Sequence, residues 1–402
     1  AFVSSMKVEI LPLFRDVLLV CEEEGLLGGT FFALDGCKLP SNASRQCSGT
    51  IGDFKRKKEK IEKKVKRLIE EQEEADKEGG DEQRAGELSG ISNRERQVER
   101  LQKRADRIEK FLRDNGPKIG KQGREIKSNI TDNESATMVT SHGTIQGYNG
   151  QAIVDSKKQV IVHGEAFGDG QDHYHIPPML DGAKENMGSI GQSEDYFEGK
   201  ILTADSLYHS PTNLKKCKKE KLDAYIPDKN FRKRDPRFKR EGKSRPKKKR
   251  FTWEDFRHNE TTDEYICPQG KILKLQVKKT ETDGNIYRRY VADRTDCQSC
   301  ELKSKCIVQK NGKRRFLNVP IGSSPDNLTK PMIEKIDSEK GRKLYSQRIA
   351  IVEPVFANVR THKRMDCFTM RGKIKVNIQW VLYCMIHNIE KIVNYGVNYG
   401  FT

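Results

Sequence analysis

No stretch of this 402-residue chain is apolar for long enough to cross a bilayer. The nearest candidate, Ile10 to Cys21, is too short and contains Arg15 and Asp16, so no membrane segment is expected. The basic start, apolar middle and small-residue cleavage site of a secretory signal are missing as well, which makes a cytoplasmic setting the expectation. Neither a Gly-x-Ser-x-Gly elbow nor a Walker phosphate loop occurs, so the usual signatures of serine hydrolysis and P-loop nucleotide binding are lacking. Acidic excess is lacking too: 76 Lys and Arg against 58 Asp and Glu leave a formal net charge of +18. A surplus of that size points to a polyanionic partner. With 34 % hydrophobic and 33 % charged residues, the chain reads as soluble with modest cores, and its length allows two or three domains.

What is present alternates between strand-like and helix-like patterns. Ile10 to Glu24 has amphipathic-helix spacing and leads into Thr30-Phe-Phe-Ala-Leu34, a short continuous apolar run of the kind a buried strand shows. Beyond Gly52, apolar residues recur at Ile61, Val65, Leu68 and Ala75, with Gln72 in step. They recur again at Val98, Leu101, Ala105, Ile108 and Leu112. Steps of four and three with a break at Gly79-Gly80-Asp81 predict a helical hairpin. Its role stays open between a coiled coil that joins subunits or arms and direct nucleic-acid contact through the basic stretch Lys55 to Arg67. Strands are expected at Tyr148 to Val154 and Gln159 to Glu165 around the turn Asp155-Ser-Lys-Lys158. A helix within Tyr174 to Glu185, a strand Lys200 to Ala204, a helix Pro211 to Lys219 and a strand Asp223 to Ile226 follow. This alternation favours a mixed α/β sheet with helices on both faces. His173-Tyr-His175 reads as structural, since no third metal ligand accompanies it. Ile374 to Val397 reads as a helix packed across the sheet, with Gln379, Trp380 and Asn388 in packing roles.

Three acids fall at suggestive places. Asp35 ends the first apolar run, Asp205 ends the strand beginning at Lys200, and Glu353 lies in the helix-like stretch Gly341 to His362. A carboxylate at a strand end sits at the rim of a sheet, where ligands collect in α/β folds, although Asp is also a common turn former. Together the three suggest a two-metal phosphoryl-transfer site. The words around them are Leu34-Asp-Gly-Cys-Lys-Leu-Pro-Ser-Asn-Ala-Ser44, Leu202-Thr-Ala-Asp-Ser-Leu-Tyr-His-Ser210 and Tyr345-Ser-Gln-Arg-Ile-Ala-Ile-Val-Glu-Pro-Val-Phe-Ala-Asn-Val-Arg360. They resemble bacterial insertion-sequence transposases of the DDE type, and the resemblance runs from about Leu26 to the final helix, including Asp223 to Asp228 and Arg371 to Trp380.

That resemblance implies an RNase H-like catalytic fold and two Mg²⁺ or Mn²⁺ ions held by Asp35, Asp205 and Glu353. It implies DNA as partner, both transposon ends and target, a homodimer acting on paired ends, and a nucleoid-associated protein in the cytoplasm. Relatives also carry an N-terminal DNA-binding region, expected here to be largely missing ahead of Asp35. The family pattern Tyr-x2-Arg-x3-Glu-x6-Lys is matched at Tyr345 and Arg348, but four residues separate Arg348 from Glu353, and Arg360 stands in the Lys place. An extra residue turns a helical position by about 100°. Pro354 predicts a bulge or kink that absorbs it, and Glu334, Asp337 and Glu339 are the alternatives. Tyr345, Arg348, Arg360 and Lys363 are expected on DNA, or else as solvated helix positions. A catalytically inactive DNA-binding remnant and a coiled-coil interaction protein are the alternative readings.

Between Asp205 and Glu353, the segment Arg232 to Arg250 holds twelve Lys or Arg in nineteen residues. Such a polycation binds phosphates without reading sequence, so Arg232, Lys233, Arg234, Lys247, Lys248, Lys249 and Arg250 are candidate DNA contacts, a solvated loop being the other reading. The same interruption carries Cys267, Cys297, Cys300 and Cys306. These read either as a structural Zn²⁺ site or as reduced thiols. The organisation expected is therefore a leading helix and first catalytic strand (1–50), a helical-hairpin insertion (51–116), an RNase H-like core (117–226), a basic Cys-containing insertion (227–330) and C-terminal core helices (331–402).

Overall fold

The computed structural model describes residues 2–78, 84–120, 123–141, 143–238, 250–282, 285–307, 309, 311–323 and 327–397. Helix α1 (Ile10–Glu23) buries Ile10, Phe14, Leu18 and Cys21, one stripe of its surface. Strand β1 (Phe31–Pro40) follows, and Phe31 to Leu34 are buried without a break because both faces of the strand are covered. The apolar run predicted a strand ending at Leu34. It continues to Pro40 because its neighbour keeps pairing with it that far, which leaves Asp35 in mid-strand.

Helices α2 (Ile51–Glu78) and α3 (Arg84–Asp114) form the predicted hairpin. Phe54, Ile61, Ala105, Ile108 and Phe111 pack between them, and Lys58 Nζ lies 3.2 Å from Glu109. The arm therefore satisfies its apolar stripe by folding back on itself. The break at Gly79-Gly80-Asp81 lies outside the described residues.

The main sheet is mixed, as the alternating pattern predicts. It comprises β1, β2 (Ala136–Thr140), β3 (Gly143–Asp155), β4 (Ile161–Phe167), β5 (Ile201–Ala204) and β6 (Asp223–Tyr225), with α4 (Ile176–Ser189) and α5 (Pro211–Lys219) in the connections. Strand β3 pairs antiparallel with β1 along one edge, and with β2 and then β4 along the other. Strands β5 and β6 add on beyond β1 in parallel.

A second, antiparallel sheet runs in the order β11-β10-β9-β8-β7. Its strands are β7 (Arg257–Asn259), β8 (Glu264–Ile266), β9 (Ile272–Thr282), β10 (Asn285–Ala292) and β11 (Phe316–Ser323). Its own core is small: Phe256, Tyr265, Leu273, Tyr290, Ala292, Leu317 and Val319. The chain then returns to the main sheet through α6 (Thr329–Asp337), α7 (Glu339–Ala357) and α8 (Lys373–Tyr395). Pro354 lies inside α7, and the irregularity comes after it, as a π-helical turn at Asn358–His362.

Helix α8 approaches β3 and β4 closely because Gly150 and Gly164 stand beneath it. A Cβ on Gly150 would meet the Trp380 ring at 3.0 Å, and one on Gly164 would meet Cys384 Sγ at 2.7 Å. Trp380 Nε1 donates to the Gln151 carbonyl at 2.9 Å, so the buried indole has its partner. Asn388 does more than pack, accepting from Ile161 N and donating to Ile161 O at 2.8 Å each. His163, next to Gly164 and so on the other face, touches Gly182 of α4.

Trp380→Ala should cost about 3–5 kcal/mol, since it empties the largest fully buried side chain among the described residues and removes its hydrogen bond to Gln151 O. Urea denaturation checks this, with Val393→Ala on the exposed side of α8 costing less than about 1 kcal/mol.

Candidate active site

Parallel pairing of β1 with β5 aligns Leu34 with Ala204. The next residue in each segment is an acid, Asp35 within β1 and Asp205 directly after β5, so their backbones lie side by side at the strand spacing of about 4.8 Å. Strand β5 stops there because Asp205 turns its carboxylate onto the backbone and accepts from Leu207 N at 2.7 Å, capping the short turn Ser206–Tyr208. Asp35 accepts from Gly36 N at 2.9 Å and from Arg348 Nη1 at 2.5 Å. Helix α7 delivers that guanidinium, and its side chain is only 11 % exposed.

Burial pushes the Asp205 carboxyl up to about 6, and the neighbouring Asp35 charge adds to the shift. Asp35 is also raised, by burial first, with Arg348 and the Gly36 N–H pulling against it. Both acids are thus held in a poorly solvated corner where a cation is favoured, and Arg348 supplies one.

A further acid stands behind them that the sequence reading passed over. Asp172 is 7 % exposed and accepts from Asn149 Nδ2 and Gln151 Nε2 at 2.7 Å each. Burial pushes it up, but His175 and Asn149 outweigh burial and hold it below the ordinary carboxylate range. Gln151 also accepts from Tyr208, which follows Asp205 in the chain. A Cβ on Gly36 would fall 2.1 Å from Gln151 Nε2, so this network requires glycine directly after Asp35. The histidine pair drew attention to this segment, yet its neighbour Asp172 was the informative residue. His173 bonds to the Leu207 carbonyl at 2.6 Å, and His175 sits 2.9 Å from Asp169, both structural positions.

Glu353 is not brought to this pair. It is exposed on α7, and five helical residues turn it roughly 140° from Arg348. Among the alternatives, Glu334 and Glu339 are exposed, and Asp337 is bonded to Arg234 Nε at 2.5 Å. Tyr345 packs edge-on against Phe231 at 5.3 Å, beneath the Arg348 guanidinium, which lies 5.8 Å from its ring centre. Arg360 is exposed, whereas Lys363 is tied to Glu390 at 2.5 Å.

In the basic segment, Arg234 is held by Asp228 and Asp337 and Lys233 bonds Asn230 at 2.9 Å. Arg232 lies over Phe238, 5.3 Å from the ring centre, and Arg250 is exposed. Lys247, Lys248 and Lys249 lie outside the described residues. Cys267, Cys297, Cys300 and Cys306 line one cavity beside the second sheet's core. Among the described residues, no group of three or more His, Cys, Asp or Glu side chains stands ready to hold a metal ion.

The raised Asp205 carboxyl has a consequence for stability. Because the folded state binds its proton more tightly than the unfolded chain, this contribution to stability is full below about pH 4 and is lost as pH rises through about 6. Asp205→Asn, which can still accept from Leu207 N, should therefore be more stable than the parent at pH 7.5 by roughly 1 kcal/mol in metal-free buffer. The gain should vanish near pH 4, as thermal melts across the range will show.

Comparison with curated proteins gives no match. Residues 266–393, which carry Arg348 and Glu353, match the family model described as a transposase DDE domain, and this match supports a DDE-type transposase.

Proposed function

We propose that this chain is an RNase H-like DDE transposase catalytic region, in which Asp35, Asp205 and Glu353 hold divalent cations for DNA strand cleavage and strand transfer. The observation that carries the reading is the placement of Asp35 and Asp205 at neighbouring positions of parallel strands, with Arg348 in contact with Asp35. The strand order, in which an antiparallel β2/β4–β3–β1 part is extended in parallel by β5 and β6, agrees with that class. The net charge of +18 suits a DNA partner, and action as a homodimer on paired insertion-sequence ends belongs to the same reading.

Oxygen donors in a poorly solvated corner fit hard divalent ions, and the guanidinium paired with Asp35 is consistent with a place for positive charge. When bound, Mg²⁺ or Mn²⁺ would stabilise the attacking and leaving oxygens of an in-line phosphoryl displacement. The chain's own groups do the rest. Arg348 keeps Asp35 paired before substrate arrives and offers a cation to which a DNA phosphate can turn. The Asn149–Gln151–Asp172 network fixes the backbone beneath both acids, and Tyr208 ties the turn after Asp205 to it. Glu353 lies about 7.5 Å along the helix axis from Arg348, and rotation of α7 about its axis would bring it towards the pair.

Nicking of a labelled, pre-branched DNA end with Mg²⁺ or Mn²⁺ tests the proposal. Asp35→Ala and Asp205→Ala should each lower the rate by about a hundredfold or more, and Glu353→Ala should do the same. Loss in the two Asp variants with Glu353→Ala fully active would place the third ligand elsewhere. Folded, DNA-binding parent protein without metal-dependent cleavage would favour an inactive DNA-binding remnant.

A further inference from the structure

The small second sheet has too little core to hold its connecting segments by burial alone. Three separate segments nevertheless meet at one place on it. The turn after β8 contributes Cys267, the short helix Arg294–Gln298 and the residues after it contribute Cys297 and Cys300, and the short helix Lys303–Cys306 contributes Cys306. All four thiols line a cavity of about 30 Å³, room for a single ion or water and too small for an organic ligand. None is in a disulfide.

Two details of the cavity point to a thiolate-bound ion. Cys267-Pro-Gln-Gly-Lys271 forms a tight knuckle. Gly270 N donates to Cys267 O and Cys267 N to Lys271 O, both at 2.8 Å, while Lys271 N donates to Cys267 Sγ at 3.4 Å. Gly270 takes φ +76°, the left-handed conformation that the turn needs. A backbone N–H aimed at sulfur stabilises negative charge on it. Independently, Arg315 lines the same cavity, and its Nε is buried with no acceptor. Its two terminal nitrogens are already used, on Cys306 O at 2.6 Å and Phe251 O at 3.2 Å. An unpaired buried guanidinium donor beside thiols lacks the anion that would complete it.

We propose that Cys267, Cys297, Cys300 and Cys306 bind one structural Zn²⁺ ion that fastens the turn after β8 to the two short helices. The four thiols lose their protons to solvent as Zn–S bonds form, and no oxidant or reductant takes part. Soft sulfur donors select zinc over the hard ions expected at the carboxylates. Lys271, Lys303 and Arg315 around the cavity offset the negative charge of a tetrathiolate. Among the described residues the sulfurs are not yet grouped for coordination, so zinc binding would require the four thiols lining the cavity to converge. This inference is independent of the function proposed for the acids.

Metal analysis of the full chain, expressed with zinc and purified without chelator, should find about one zinc per chain. The same content should persist in Asp35→Ala/Asp205→Ala, which separates this ion from any at the carboxylates. It should also persist in Cys367→Ser, an exposed cysteine elsewhere. Cys300→Ser should bring it near zero. If that variant fails to fold, cobalt substitution of the parent decides the matter through the thiolate-to-metal charge-transfer and tetrahedral bands of a sulfur-rich site. Zinc-free folded parent with four freely titrating thiols, a disulfide among the four, or cobalt bands lacking sulfur character would overturn the proposal.

Discussion

The pairing of Leu34 with Ala204 is the constraint on which the acidic site depends. Side chains alternate along a strand, so a slip of one residue between β1 and β5 would send Asp35 or Asp205 to the opposite face. That register is secured at a distance. Strand β1 is locked from its other side by nine consecutive partners on β3, Phe32↔Asp155 through Pro40↔Gly147. Asp155 in turn accepts from Gly28 N and Gly29 N at 3.0 and 2.8 Å, fixing where β1 begins. The polar residues under the site, Asn149 and Gln151, lie on that same β3, so register and site chemistry are set by one strand.

The Asp35–Arg348 contact joins this sheet to a helix that arrives more than three hundred positions later. A buried ion pair gives little net stability, because the charges must first leave water. Its value here is directional. Arg348 points to Asp35 from the same α7 that buries Ile351, Val352 and Val355 in the main core and leaves Glu353 exposed. The contact thus ties the acid of β1 to the same helix whose apolar face closes the main core.

Much of this was legible in the sequence. Continuous apolar runs marked β1 and β5 because both are covered on two faces, and the stripe of α2 and α3 showed in steps of three and four. The helix expected at roughly Pro211 to Lys219 is found at Pro211–Lys219, and the structure shows why it starts there: Ser210 caps it, accepting from Asn213 N. Where reading failed, long-range partners decided. Nothing local told that β1 would outlast its apolar run, since Gly36 to Pro40 are held by β3. Pro354 signalled an irregular helix, but the irregularity lies one turn later, as the π-helical turn Asn358–His362 at the end of α7. Asp172 escaped notice because its burial depends on Asn149 and Gln151, more than twenty residues upstream.

The helical arm leaves the sheet and returns to it at a single point. Gly49 pairs with Ser128 and Ser48 with Asn129 just outside its two ends, and Asn129 Nδ2 donates to Ser44 O and Ser48 Oγ at 2.8 Å each. This clasp brings the two ends of the arm together beside the sheet. Beyond the clasp the arm's apolar stripe is answered within the arm itself, by Phe54, Ile61, Ala105, Ile108 and Phe111. The arm is thus carried by its root alone, like the boom of a crane on its base.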